Sequence, residues 1–183
     1  MSPQPSLCLR GGQGRLVVVL AVFAMLAASL RADVLVWDTQ AGTDGPQDGA
    51  GTWTTGLPNW FNQTLNTQDQ SWVDGSDAIF GSSAGAAGAI TLSGPVTAGN
   101  LTFNAATSGT YALGGAGVLT LVNTTITSNV AAAVNATLTG DTAWFKSGAG
   151  TLTLGGSGSN THTGLLTVNQ GLLTLNKTGG ATA

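Results

Sequence analysis

Apolar and small polar side chains alternate along much of the chain after residue 33. The clearest example is a five-residue pattern of Gly, any residue, Leu, Thr, and then Leu or Phe, which begins at Gly99, Gly117, Gly150 and Gly171. A period of two residues is typical of a β-strand, in which successive side chains point to opposite faces. The leucines therefore define one apolar face, and the threonines, which favour strands, define the opposite and solvated face.

The intervals between these glycines are 18, 33 and 21 residues. A single short strand cannot bury its own apolar face, whereas copies of it stacked as coils of a solenoid can, with hydrogen bonds between coils. The intervals therefore predict coils of about 20 residues joined by loops of variable length. Further strands are predicted over residues 34–37, 89–92, 110–113, 125–127, 136–138, 143–146 and 165–168, and no helix is predicted after the leader because glycine and β-branched residues interrupt any helical period.

The segment 33–80 differs from the rest because it holds four of the five tryptophans, at positions 37, 53, 60 and 72. A solenoid end exposes apolar core and unpaired backbone unless a cap covers it. We therefore predict that this Trp-rich segment is an N-terminal cap and first coil, with buried indole rings. The alternative is a glycan-binding site in which exposed faces of Trp53, Trp60 and Trp72 stack on sugar rings.

The segment 146–175 carries the most specific pattern: Lys-x-Gly-x-Gly-Thr-Leu-x-Leu, then an Asn-x-His-Thr-Gly loop, then Thr-Val-Asn-x-Gly-x-Leu. It resembles the autotransporter-associated β-strand repeat, also called the passenger-associated transport repeat. His162 stands where the family pattern has Tyr, and Leu165 where a second Gly is common. The matching positions are Lys146, Gly148, Gly150, Thr151, Leu152, Leu154, Asn160, Thr163, Gly164, Thr167, Val168, Asn169, Gly171 and Leu173.

The resemblance covers about thirty residues well and roughly the preceding hundred only loosely. It implies an all-β fold, a right-handed parallel β-helix-like solenoid, whose coils occupy residues 81–183 behind the Trp-rich cap. It also implies an exported bacterial passenger protein, whose repeats aid folding and secretion because each coil templates the next.

The first 32 residues have the order of a secretory signal peptide: Arg10 and Arg15, an apolar run over residues 16–28, then small residues. Cleavage after Ser29 or Ala32 fits the pattern equally well. The apolar run is shorter than the roughly 20 residues of a membrane-spanning helix, so an uncleaved anchor is the weaker alternative. We therefore expect an exported protein at the cell surface, associated with the outer membrane or extracellular.

Charged residues make up 7% of the chain, against about 25% in typical soluble proteins. After residue 32 two lysines face eight aspartates, a formal balance of −6. Such a chain lacks the basic face that nucleic acids and anionic membranes require. The only cysteine, Cys8, lies in the leader, so no disulfide is expected. Disorder is the competing interpretation of a Gly- and Thr-rich chain, but the 42% hydrophobic content favours an ordered fold.

Catalytic chemistry finds little support in the sequence. Asp44 with Asp48 and Asp74 with Asp77 are close enough in sequence to suggest paired carboxylates, but aspartate is also a common turn residue. His162 is the only histidine and has no evident triad partner, so zinc and nucleophilic catalysis are not predicted. Calcium at Asp44 and Asp48, with the carbonyls of Gly45 and Gly49, is a weak option. We predict no enzyme activity, no cofactor and no metal.

The sequence thus predicts a non-catalytic stalk or passenger segment. The alternatives are a surface adhesin or glycan-binding module that uses the Trp cluster, and a polysaccharide-active β-helix enzyme. Expected partners are surface glycans, other surface proteins and further solenoid coils. The last residues, 176–183, resemble a loop towards another coil, which predicts truncation of a longer product; a short secreted protein is the alternative.

Overall fold

The computed structural model describes residues 32–123 and 125–183; the predicted signal peptide lies outside this range, apart from residue 32. Within it the chain forms β-strands and no helix, so no helix there could cross a membrane. The strands are β1 Val34–Trp37, β2 Gly51–Trp53, β3 Trp60–Asn62, β4 Thr67–Gln70, β5 Asp77–Phe80, β6 Ala89–Leu92, β7 Val96–Ala98, β8 Leu101–Phe103, β9 Tyr111–Gly114, β10 Val118–Leu121, β11 Thr125–Ser128, β12 Ala132–Val134, β13 Thr137–Thr139, β14 Trp144–Ser147, β15 Thr151–Gly156, β16 Leu166–Val168 and β17 Leu172–Lys177.

The strands stack in three sheets that run along a parallel β-solenoid. Sheet A has the order β16-β14-β11-β8-β5-β1-β3-β4, sheet B the order β17-β15-β12-β9-β6-β2, and sheet C the order β13-β10-β7. Each complete turn contributes one strand to each sheet, as β5, β6 and β7 do. All pairs between turns are parallel. The prediction of an all-β parallel solenoid with an aromatic N-terminal cluster is confirmed.

The core consists of side chains from successive turns stacked in register. In sheet A one inward position is occupied by Leu35, Ala78, Leu101, Ile126, Lys146 and Val168. From Ala78 onward, neighbours in this ladder are 20 to 25 residues apart in sequence, which is the length of one turn. In sheet B a second ladder contains Ile90, Leu113, Val134, Leu154 and Leu175. The predicted division between inward leucines and outward threonines is confirmed, since Leu152 and Leu154 are buried and Thr151 and Thr153 are half-buried.

The first turn is closed by an antiparallel hairpin that the sequence did not predict. Strand β3 pairs antiparallel with β1, and β4 pairs antiparallel with β3. The hairpin therefore covers the edge of β1 that a preceding coil would otherwise occupy. Strand β4 has the polar sequence Thr-Gln-Asp-Gln, which discourages pairing with another chain at the sheet edge.

The recurrent Gly-x-Leu-Thr pattern does not mark one corner of the solenoid. Its four copies form β8 in sheet A, β10 in sheet C, and β15 and β17 in sheet B. The uneven intervals therefore arise partly because the copies lie on different sheets, and not only from variable loops. Strands β7 and β12 were not predicted, because each is only three residues long and carries no strong alternation.

Candidate functional site

Four tryptophans form a buried cluster at the N-terminal end of the solenoid. Trp37, Trp53 and Trp60 are fully buried, and Trp72 is 3% exposed. The Trp37–Trp60 and Trp53–Trp60 ring centroids are each 5.1 Å apart, and the Trp53–Trp72 centroids are 4.7 Å apart, in edge-to-face arrangements. Phe80 continues the cluster towards the next turn, 5.5 Å from Trp53. These distances lie in the favourable range for aromatic pairs.

The tryptophan Nε1 atoms show how completely the cluster is enclosed. Trp37 donates to the Gly49 carbonyl (3.0 Å), and Trp72 donates to the Asp74 carboxylate (3.0 Å). Trp53 and Trp60 have no hydrogen-bond partner for Nε1. A sugar that stacks on Trp53, Trp60 or Trp72 would need an exposed ring face, and here the faces of these rings are covered by one another. The packing interpretation of the cap is therefore the one that the geometry supports.

Lys146 occupies an inward position on β14 and is fully buried. Its Nζ atom donates to the carbonyl oxygens of Ser147 (3.0 Å), Gly148 (2.6 Å), Gly150 (2.7 Å) and Gln170 (3.0 Å). All four acceptors are carbonyls and none is a carboxylate. Three belong to the corner between β14 and β15, and the fourth belongs to the corresponding corner of the next turn. We call this arrangement the lysine cage; it joins two consecutive turns.

Burial lowers the pKa of the Lys146 ammonium, because the charged form loses its hydration. The four carbonyl dipoles act in the opposite direction, since they stabilise a positive charge. Lys177, the other lysine of the described residues, reaches only the Ala136 carbonyl at 3.4 Å, and partial burial also lowers its pKa.

The motif glycines provide the space that the lysine cage requires. Gly148 and Gly171 have φ values of +78° and +73°, in the left-handed region that favours glycine. A Cβ atom on Gly171 would lie 2.6 Å from Lys146 Nζ, and one on Gly150 would overlap the backbone of Val130. The Lys-x-Gly-x-Gly pattern and the later glycine thus describe one structural unit. The sequence shows the pattern, but not its cause.

The Asn160 loop takes the place of a strand in sheet C. Asn160 Oδ1 accepts a hydrogen bond from the Leu138 backbone N–H at 2.9 Å, and the Thr161 N–H donates to the Leu138 carbonyl at 2.8 Å. The loop therefore satisfies the open side of β13. His162 packs edge-on against the buried Trp144, with ring centroids 5.8 Å apart.

Asp48 ties the first loop to the second and third turns. Its buried carboxylate accepts hydrogen bonds from the backbone N–H groups of Ser82 (2.9 Å) and Ala84 (3.1 Å), and from the Tyr111 hydroxyl (2.6 Å). We call this group the aspartate clasp. Burial, together with the adjacent Asp48 carboxylate, raises the pKa of Tyr111 well above its usual range. The sequence suggested Asp44 and Asp48 as paired carboxylates. The structure does not bring them together, and Asp44 accepts a hydrogen bond from Gln68 instead.

The other aspartates also act as anchors of the backbone. Asp74 accepts from the Thr97 N–H at 2.9 Å, and Asp77 from the Asn100 N–H at 2.6 Å. Burial raises the pKa of Asp38, and Asp69 raises it further, while N–H donors from Gln40 and Gln47 oppose the change. The described residues contain no group of three or more metal-ligating side chains, so Asp44 and Asp48 are not part of such a group.

The last turn is open where the first is closed. Val168 and Leu175 stand at the ends of the two inward ladders, yet they are 46% and 60% exposed. Strand β17 pairs with β15 over six residues, and no further described strand pairs with its other edge. Leu165 and Leu172 add to the exposed apolar surface of this turn.

These features define a class of protein, a parallel β-solenoid with an aromatic cluster at its N-terminal end. Over 159 residues the chain is 33% identical to the adhesin BmaC autotransporter of Brucella suis biovar 1 (strain 1330). The alignment covers 83% of this chain and 4% of that protein. No family model and no solved structure matches the sequence. The solenoid fold and the similarity to an autotransporter adhesin fit an exported, adhesin-like passenger segment.

Proposed function

We propose that this chain is a non-catalytic structural segment of a bacterial surface passenger, whose folded coils template the coils that follow. The observation that carries the proposal is the contrast between the ends of the solenoid. The hairpin β3–β4 covers the edge of the first turn, whereas β17 presents an unpaired edge beside a core that ends at Val168 and Leu175. A further coil would bury this surface and continue both ladders.

The lysine cage supports this role because it joins the turn that contains β14 to the turn that follows. Its fourth acceptor, the Gln170 carbonyl, becomes available only when β16 has been laid on β14 and the following corner has formed. The fourth hydrogen bond of the cage therefore stabilises the incoming coil only when that coil is correctly placed. In an export pathway where coils fold successively, such coupling would favour progress in one direction.

The test is to place the whole chain in the passenger of a Gram-negative autotransporter and to measure the protease-resistant protein at the cell surface. Gly148→Ala should reduce the yield severalfold, because the new Cβ meets the Ser128 carbonyl at 2.6 Å. Gly179→Ala is the matched control. Gly179 also has positive φ (+67°), but a Cβ there meets nothing within 4 Å. Equal yields from the two variants would refute the templating role.

Surface adhesion is the second candidate function, and the similarity to a protein described as an adhesin favours it. We also propose that the segment 146–175 belongs to the autotransporter-associated β-strand repeat family. This assignment rests on the lysine cage and on the Asn160 loop, which give the motif positions concrete structural roles. A polysaccharide-active enzyme gains no comparable support, because Asp48, Asp74 and Asp77 accept hydrogen bonds from backbone N–H groups.

A further inference from the structure

The outer face of sheet A contains a groove of about 360 Å³ that none of the functions above uses. Its floor follows the register of β5, β8 and β11, so neighbouring side chains are spaced by about 4.8 Å, the distance between strands. The groove is bounded by seven half-buried side chains: Val34, Asp77, Ile79, Asn100, Thr102, Thr125 and Thr127.

The polar groups of this groove are held in place before any ligand binds. Asp77 accepts hydrogen bonds from the Asn100 backbone N–H (2.6 Å) and from Asn100 Nδ2 (3.1 and 3.2 Å). Asn100 Oδ1 in turn accepts from the Thr125 backbone N–H at 3.2 Å. Because the carboxylate and the amide are already ordered, a ligand would lose little affinity in fixing them.

The threonines add hydroxyl groups whose directions are restricted, since β-branched side chains have few χ1 rotamers in a strand. Thr102 and Thr127 are partners in register. Both lie on the outer face, with the backbone of their strands already engaged in the sheet. A hydroxyl can donate and accept at once, so this pair offers a repeated, uncharged hydrogen-bonding surface.

The chemistry of the groove selects among possible ligands. Five of the seven residues are polar, which does not suit a purely apolar ligand. The only ionisable group is a carboxylate, and both lysines of the described chain lie in the last turns, so an acidic polymer would meet no cation. A peptide that adds as a β-strand needs an open sheet edge, whereas this surface is the face of a sheet. A neutral polyhydroxyl compound matches hydroxyl, amide and carboxylate groups together.

An exposed aromatic ring extends the same surface. Phe145 follows Thr125 in register on β14 and is 36% exposed. An aromatic face next to hydroxyl and amide groups suits the apolar face of a sugar ring. We infer that this groove, with Phe145 at its side, is a binding site for a neutral oligosaccharide. The inference deepens the adhesion candidate and does not depend on the templating role.

Isothermal titration calorimetry of the whole chain tests the inference with three probes: cellohexaose, N-acetylchitohexaose and, as the acidic comparison, hexagalacturonic acid. We expect binding of at least one neutral probe and none of the acidic one. The double variant Thr102→Val, Thr127→Val should weaken binding about tenfold, because each lost hydroxyl removes a hydrogen bond. Adding Phe145→Ala to this double variant should weaken oligosaccharide binding further.

The matched control is Thr97→Val, Thr120→Val, a pair in the same register relation on the outer face of sheet C. This control should bind as the unaltered chain does. Equal weakening by both pairs, preferential binding of the acidic probe, or no binding of any neutral probe would overturn the inference. If the chain still reaches the surface in the export assay, such a failure leaves the templating role intact.

Discussion

The first and last turns of the described solenoid differ in how far their core side chains are covered. At the first turn an antiparallel hairpin and four tryptophans seal the core, and Trp53 and Trp60 are completely buried. At the last turn the same inward ladders end in the exposed side chains of Val168 and Leu175. The comparison shows that the inward apolar side chains of one turn are buried by the adjacent turn. Whether these side chains form core or surface depends on whether a neighbour is present.

The buried charged groups near the two ends also differ in the segments that they join. Near the first turn the aspartate clasp joins three segments of chain through one carboxylate, with Tyr111 as the most distant partner in sequence. Near the last turn the lysine cage joins two adjacent corners through one ammonium. The clasp joins the first three turns, whereas the cage joins only two consecutive turns, since the equivalent positions of the adjacent turns hold Ile126 and Val168.

The largest expected effect comes from breaking the closed end. Trp60→Ala should reduce the free energy of unfolding by about 3–5 kcal/mol, because it removes a fully buried ring from β3 and leaves a cavity. Leu175→Ala at the open end is the comparison and should cost less than about 1 kcal/mol, since most of that side chain is exposed. Urea unfolding followed by circular dichroism measures both.

Trp60→Phe keeps most of the aromatic packing and serves if the alanine variant does not fold; its cost should be intermediate. Similar costs for Trp60→Ala and Leu175→Ala would mean that the cap contributes no more than the open turn does. The distinction between the two ends would then be wrong.

A smaller effect is expected from the lysine cage. Lys146→Met should lower the free energy of unfolding by about 1.5–3 kcal/mol, the range for hydrogen bonds to a charged group, because several buried carbonyls lose their donor. Lys177→Met, which removes one long contact, should change it by less than about 0.5 kcal/mol. A thermal melt of the two variants side by side would show the difference. A more stable Lys146→Met variant would indicate that desolvation of the ammonium outweighs its hydrogen bonds.

The smallest effect concerns pH and the aspartate clasp. The folded-state pKa of Tyr111 is raised by burial, while an unfolded tyrosine ionises near pH 10. The contribution of Tyr111 is therefore complete below pH 10 and is lost as the pH rises further, by about 1.4 kcal/mol for each unit. Tyr111 is the only tyrosine, so tyrosinate absorbance reports it alone and should appear only as the chain unfolds.

Tyr111→Phe is the control for this pH dependence. The two lysines act in the opposite direction. Burial lowers their pKa, so the free-energy cost of burying their charge is lost as the pH rises towards 10.5, and the folded state gains stability. Their contribution is present in both proteins and cancels when the unfolding curves are compared. Ionisation of Tyr111 near pH 10 without unfolding would contradict the buried clasp.

Much of the architecture follows from local patterns. Alternation identified β1 and β6 with their bounds, and it located β9, β10, β11, β13, β14 and β16 to within one residue. It also separated inward leucines from outward threonines, because the strand period is a property of the chain itself. The four tryptophans of residues 33–80 pointed to the aromatic cluster at the N-terminal end, since a solenoid end needs apolar cover. The polar hairpin strand β4 carries no apolar signal, so the sequence offered no means of finding it.

The candidate sites were harder to predict than the strands. A tryptophan among polar residues has the same sequence signature whether its ring is exposed to sugars or buried against other rings. Only the convergence of β1, β2 and β3 decided that Trp53 and Trp60 are core. Likewise, nothing local shows that Lys146 points inward, since lysine is seldom buried.

By itself the sequence determined the all-β class and the inward and outward faces of the strands in which leucine and threonine alternate. The tertiary structure decided which strands are neighbours, and hence the groove, the clasp and the cage. The reason is physical: side-chain alternation is set within a few residues, whereas contacts between turns join residues 20 to 25 positions apart. Their register depends on loop lengths and on packing that no short segment encodes.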